Sequence, residues 1–270
     1  MLTRFARHWL TALQFFTRVP VAGRLGAWVG YGPAQLRASA AHFPSIGWLA
    51  AAAAGAAYFA LHRGLAGNPF APLAAAVACT IATVLLTGGF HEDGLADVAD
   101  GLGGSADRDR ALEIMKDSRI GAFGAMALAL ALLAKVALLA ALGAHGAGPA
   151  LVALAGAHVL SRFWPLLLMR TLAHVGDSAR SKSKPLADGI SGPALGVALL
   201  WCFPLAALVL PAVAAMFLIV PAITSGIALL WLRRLFVRRL GGFTGDCLGA
   251  TQQVCEIAFY LGAALALPGR

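Results

Sequence analysis

Of the 270 residues, 60% are hydrophobic and 12% charged, against roughly 45–50% and about 25% in soluble domains, so a water-soluble fold would lack the charges to cover its core. The formal net charge of +9 would suit nucleic acid, but the basic residues sit in short runs beside apolar segments, as positive-inside loops do. The chain reads as an all-α, polytopic integral membrane bundle, one membrane domain over residues 1–270, with the lipid bilayer as partner and no nucleic acid.

In the segment 1–42, Phe5, Trp9, Leu10, Leu13, Phe15 and Phe16 are interleaved with Arg4, Arg7, His8 and Arg18. The apolar run is too short to span and Pro20 closes it, which predicts an amphipathic helix lying in the interface. It lacks the longer apolar stretch and small-residue cleavage site of a signal peptide. Seven apolar segments follow, near 43–62, 70–90, 121–144, 148–169, 193–212, 213–232 and 246–267, each close to the roughly 20 residues a span needs. The fifth and sixth run together and are divided near Pro211.

Basic and bare connections alternate along the chain. The N-terminal segment carries Arg4, Arg7, Arg18, Arg24 and Arg37, and 91–120 carries Arg108, Arg110, Lys116 and Arg119. Segment 170–192 carries Arg170, Arg180, Lys182 and Lys184, and 233–245 carries Arg233, Arg234, Arg238 and Arg239. The intervening turns and the C-terminal tail hold at most one basic residue each. This predicts about seven transmembrane helices, the N-terminus inside and the C-terminus outside. Cys79, Cys202, Cys247 and Cys255 have neither CxxC spacing nor a scaffold pattern, and read as core-filling thiols.

Eight of the twelve acidic residues lie between Glu92 and Asp117. Asp93, Asp97 and Asp100, at i, i+4 and i+7, share one face of a helix. Gly101, Gly103 and Gly104 are expected to break that helix, and a second short helix follows with Asp109, Glu113 and Asp117 spaced by four. Two carboxylates about 6 Å apart at an effective dielectric near 20 repel by roughly 3 kcal/mol. A cation relieves that repulsion, and oxygen donors without a Cys/His cluster favour Mg²⁺ or Mn²⁺ over zinc. Carboxylates with Lys116 and Arg119 nearby suggest phosphoryl or pyrophosphate chemistry.

Further along, Arg162 beside Ser161 lies well inside the fourth apolar segment, where a charge is costly and points to function: either contact with a substrate phosphate or snorkelling to head groups. Lys135 is mid-span without a visible partner, and His158 and Glu256 suit helix–helix hydrogen bonds. Gly241-Gly242-Phe243-Thr244-Gly245-Asp246 leads into the last span. Its glycines allow backbone amides to approach a ligand, Thr244 or Asp246 can cap the helix, and Asp246 is an alternative metal ligand.

Gly88-Gly89-Phe90-His91-Glu92-Asp93-Gly94-Leu95-Ala96-Asp97-Val98-Ala99-Asp100-Gly101, with Leu112-Glu113-Ile114-Met115-Lys116-Asp117-Ser118-Arg119-Ile120-Gly121, closely resembles the cobalamin synthase family of membrane adenosylcobinamide-GDP ribazoletransferases. Phe15-Phe16-Thr17-Arg18-Val19-Pro20, Phe43-Pro44-Ser45-Ile46-Gly47 and Gly241 to Gly249 resemble it too, so the likeness runs from about 12 to 260. It implies a multi-pass protein of the bacterial cytoplasmic (inner) membrane, its catalytic loops facing the cytoplasm. It also implies attack of the ribose 3′-hydroxyl of α-ribazole, or its 5′-phosphate, on adenosylcobinamide-GDP, releasing GMP. On that footing Asp93, Asp97, Asp100 and Asp117 are the expected Mg²⁺ ligands, and His91 or one of the aspartates the general base. Lys116, Arg119 and Arg162 would neutralise the leaving GMP, with Glu113, Thr244 and Asp246 at the substrate. Other enzymes of the pathway are expected partners.

Three rivals fit less well. A CDP-alcohol phosphatidyltransferase wants an Ala-Arg pair shortly after its Asp-Gly, where here Gly94 is followed by Leu95, Ala96 and Asp97. A prenyl-diphosphate transferase normally has two separated aspartate-rich motifs. A cation transporter holds its ions near the midplane on broken helices, not in an acidic cytoplasmic loop.

Overall fold

The computed structural model describes residues 2–176, 189–212 and 215–267. Among them every regular element is helical, and the one β contact is a parallel bridge between His174 and Phe243. The N-terminal segment folds as α1 (Leu2–Phe16), α2 (Gly23–Val29) and α3 (Pro33–Ser39). The buried face of α1 docks on the bundle, Phe16 stacking on Phe43 with ring centroids 4.0 Å apart. Gln35 Nε2 donates to Thr11 Oγ1 at 2.8 Å and Arg7 Nε to the Val29 carbonyl at 2.9 Å, which closes the segment on itself.

The long helices are α4 (Phe43–Gly64), α5 (Ala71–Thr87), α8 (Ala122–Gly143), α9 (Ala147–Thr171), α12 (Met216–Leu240) and α13 (Gly245–Ala266). Between them lie α6 (Phe90–Gly104), α7 (Arg108–Ile114), α10 (Gly192–Leu200) and α11 (Phe203–Ala212). Each of the seven predicted spans contains helix. Among the described residues, the run Pro33–Gly64 and helices α8, α9 and α12 are each long and apolar enough to cross a membrane. The pair α5 and α6 makes a fifth if taken together, although a 90° bend separates them. The predicted fifth span is broken at Trp201–Cys202. The last, α13, carries Thr251, Gln252, Gln253 and Glu256 in its interior. At the division expected near Pro211, α11 runs through Pro211 to Ala212 and α12 starts at Met216; residues 213–214, like Arg180, Lys182 and Lys184, lie outside the described residues.

The last helix, α13, carries polar residues in its interior and packs against α6, α8, α9 and α12. Lipid gives helices no hydrophobic reason to associate, so close backbone approach and interhelical hydrogen bonds must do it. Gly47 supplies one such approach, since a Cβ there would overlap the backbone of His158 and Val159 on α9. Ser225 Oγ on α12 donates to the Cys255 carbonyl at 2.9 Å and accepts from Trp164 Nε1 at 2.7 Å, tying three helices together.

Two successive left-handed glycines, Gly88 (φ 70) and Gly89 (φ 72), end α5 and turn the chain through the 90° bend into α6. The bend sets α6 at about a right angle to α5, packed against α8 and α13. Contrary to the sequence expectation, Gly101 and Gly103 do not break α6, which is helical to Gly104. They make room for neighbours: a Cβ on Gly101 would overlap Met115, and one on Gly103 the Phe123 ring. The second acidic helix is shorter than the spacing predicts, because α7 stops at Ile114 and leaves Asp117 in the following turn.

Candidate active site

Asp93, Asp97 and Asp100 fall on one face of α6, and the first turn of α13 brings Asp246 up to it. Glycines decide how close these helices come. A Cβ on Gly94 would stand 2.8 Å from the Asp246 carbonyl oxygen and 3.3 Å from the Gly249 Cα. One on Gly249 would meet the Cα atoms of His91 and Gly94 at 3.4 Å. The two backbones are in direct contact. Burial, then the charges of Asp246, Asp93 and Asp100, push the half-buried Asp97 carboxyl up from 3.8 to about 7. Among the described residues no cationic side chain stands with those groups.

Gly94→Ala is therefore expected to wedge α6 away from α13, at roughly 1–3 kcal/mol for an overpacked contact. Turnover should fall more steeply than the melting temperature of the detergent-solubilised protein; unchanged turnover would mean that the crossing does not set the site.

Asp100 also serves a neighbour. Its Oδ2 accepts from Gly121 N at 2.7 Å and its Oδ1 from Gly124 N at 2.8 Å, satisfying amides at the start of α8. Asp117 lines a cleft with Asp100, not with Asp93 or Asp97. It pairs with Arg119 at 2.6 Å, and those hydrogen bonds hold its carboxyl down at about 2. Glu113 pairs with Arg110 at 2.5 Å, and Lys116 is exposed near them. Thr244 is the cap of α13, its Oγ1 accepting from Cys247 N at 3.3 Å, which leaves Asp246 to the carboxylate face. The glycines before it serve structure: Gly241 is the left-handed end of α12, and Gly242 abuts the Ala173 carbonyl beside the bridge to Phe243.

His91 is buried, its ring stacked on Phe43 at 5.7 Å and edge-on to Phe90 at 5.4 Å, with Nε2 unpartnered. Arg162 does not snorkel. It is 2% exposed, its Nη1 donating to the His158 carbonyl at 2.9 Å and lying 3.2 Å from His158 Nδ1. Lys135 has a partner after all: its Nζ is 2.6 Å from Glu256 Oε1, both side chains almost fully enclosed. Glu256 also accepts from Gln252 Nε2 at 2.6 Å and from Tyr260 OH at 3.1 Å, and lies 3.5 Å from His158. The predicted helix–helix role of His158 and Glu256 is what the structure shows. Gln253 continues the chain, donating to Gln252 at 2.8 Å and to Glu92 Oε1 on α6 at 3.1 Å. Two cations, Lys135 and Arg162, thus share the interior with two carboxylates, Glu256 and Glu92. Sequence reasoning passed over Glu92, Gln252, Gln253 and Tyr260; three adjacent polar residues, Thr251 to Gln253, in an apolar span were the available signal.

Hard oxygen donors carrying uncompensated charge fit a small hard divalent cation. Among the described residues no three His, Cys, Asp or Glu side chains converge to hold a metal ion on their own. Mg²⁺ is commonly bound by one or two carboxylates, with water and substrate phosphates completing the shell.

Residues 8–264 match the family model described as cobalamin-5-phosphate synthase. A protein of Polaromonas sp. (strain JS666) named adenosylcobinamide-GDP ribazoletransferase is 60% identical, the match covering 98% of this chain and 99% of that one. Proteins of the same name from Albidiferax ferrireducens and Leptothrix cholodnii are 56% and 48% identical, over 98% and 95% of this chain and 100% and 94% of theirs. No solved structure matches. With matches that run nearly end to end and take in both α6 and the start of α13, this chain belongs to the cobalamin-5-phosphate synthase family.

Proposed function

We propose that the protein transfers ribazole to adenosylcobinamide-GDP at the α6–α13 crossing, on the cytoplasmic side of a bacterial inner membrane. The observation that carries the chemistry is the packing of the Asp246 backbone on Gly94 of α6, beside a face where burial, then the charges of Asp246, Asp93 and Asp100, push Asp97 up to about 7. The relatives' name supplies the substrate, a GDP-activated corrinoid. The ribose 3′-hydroxyl of α-ribazole, or of its 5′-phosphate, attacks the cobinamide-side phosphorus. The new P–O bond forms as the bond to GMP breaks, and GMP leaves with the electron pair.

One or two of Asp93, Asp97 and Asp246 would hold Mg²⁺, with water and substrate phosphates completing its shell, and the ion would supply charge neutralisation at the pyrophosphate. Asp100, fastened to α8, sets the far end of the face. The hydroxyl proton goes to an aspartate of this face, because His91 is enclosed by Phe43 and Phe90. Lys116 and Arg119 stand on exposed chain near the α7 turn, where they meet the departing GMP charge. Arg162 is committed to the interior network and acts through it. The same assignment gives residues 91–120 the role of a catalytic segment within a single membrane domain, and 1–42 that of an interfacial segment.

The test is GMP release by purified, detergent-solubilised protein given adenosylcobinamide-GDP and α-ribazole 5′-phosphate, with and without Mg²⁺. Release that requires Mg²⁺ and yields a new corrinoid is the expected result. Folded protein that releases no GMP would sink the reading.

A further inference from the structure

A cleft of about 490 Å³ reaches Asp93 and is lined in part by Thr17, Arg18, Thr87, Gly88 and Gly89. It lies between the end of α1 and the α5–α6 bend. The Arg18 backbone N–H donates to the Leu86 carbonyl at 2.7 Å, fixing this residue to the end of α5. Its side chain lies over Gly88, where a Cβ would overlap the guanidinium. Gly88 is thus required twice, by its left-handed backbone and by the space Arg18 occupies. Among the described residues the guanidinium has no hydrogen-bond or ion-pair partner, although Asp93 lines the same cleft.

Arg18 is exposed and anchored through its backbone beside an acidic site, and a guanidinium there with its donors unspent is set up for an anion. Its planar fork of five N–H donors matches a phosphate better than a point charge does. The reacting pyrophosphate belongs at the carboxylate face, which shares Asp93 with this cleft. A phosphoryl group in the Arg18 cleft sits to one side of the reacting centre, as the 5′-phosphate of a nucleotide does when its 3′-hydroxyl reacts.

Building on the ribazole-transfer reading, we propose that Arg18 and this cleft form a phosphoryl subsite that recognises the 5′-phosphate of the acceptor. The donor's own phosphates share that chemistry, so the experiment separates the two sources. Initial rates for wild type, Arg18→Gln and Arg18→Lys are measured with α-ribazole 5′-phosphate and with α-ribazole, varying acceptor and donor in turn. Binding of α-ribazole 5′-phosphate to the same three proteins is followed by calorimetry, a readout independent of turnover.

The expected result is that Arg18→Gln raises KM for the phosphorylated acceptor about tenfold more than that for α-ribazole, the scale of one hydrogen bond to a charged group. Arg18→Lys should fall between, since it keeps the charge and loses the fork. A rise in donor KM that is alike with both acceptors would keep the subsite and assign it to the donor's phosphates. Unchanged KM values for all three ligands, or a fall in kcat alone, would overturn the proposal. A wild-type protein that binds α-ribazole 5′-phosphate through Arg18 but releases no GMP would fail the reaction reading while leaving the subsite in place.

Discussion

Asp97→Asn is expected to lower kcat by about a hundredfold or more, the usual scale for removing one preorganised charged group at a reacting centre, while folded protein still inserts and purifies. Asp97 is the middle member of the carboxylate face, and the charges of Asp246, Asp93 and Asp100 all act on it. The same residue gives a signature that needs no substrate. A carboxyl raised from 3.8 to about 7 binds its proton more tightly in the folded chain than in the unfolded one. Its contribution to stability is therefore fully present below the lower value and is lost as pH rises between the two. Thermal melts of the metal-free wild type should fall across that window, millimolar Mg²⁺ should restore them at the alkaline end, and Asp97→Asn should flatten the slope. Near-wild-type turnover by the variant would rule out the proposed metal and proton roles for this face. A pH-independent melt would show that the crowding of carboxylates is relieved by something else.

Glu256→Gln should destabilise the protein by roughly 3–5 kcal/mol, the range for removing one member of a buried ion pair. The substitution leaves the Lys135 ammonium, which lies 2.6 Å from Glu256 Oε1, enclosed without its counter-charge. It also weakens the bonds from Gln252 at 2.6 Å and Tyr260 at 3.1 Å. Most of the loss belongs to the orphaned lysine, so Lys135→Met combined with Glu256→Gln should recover a large part of it. Thermal inactivation in detergent measures both. A single variant as durable as wild type, or a double variant worse than the sum of its parts, would show that the pair does not hold α8 against α13. Because Gln253 links this cluster to Glu92 at 3.1 Å, a loosened α13 should also blur the placement of α6.

Much of this protein can be read in one dimension because the bilayer imposes its rules locally. Span length, the placement of Lys and Arg, and the scarcity of charge are properties of consecutive residues. Each apolar segment so marked contains helix, although among the described residues only four, or five with the bent α5–α6 pair, are long and apolar enough to cross. The i, i+4, i+7 aspartates lie on one face because helical periodicity leaves no alternative. Tertiary contact decided the rest. Whether Gly101 and Gly103 would end a helix depended on Met115 and Phe123 filling the space beside them, since glycine permits a break without requiring one. The partner of Lys135 lies 121 positions away, at Glu256. Sequence cannot pair such residues, because the pairing follows from which helix faces meet. Asp246 joins Asp93 and Asp97 for the same reason: Gly94 and Gly249 let two backbones touch across more than 150 residues of chain. Periodicity places a side chain on its own helix, and only packing says which other helix it faces.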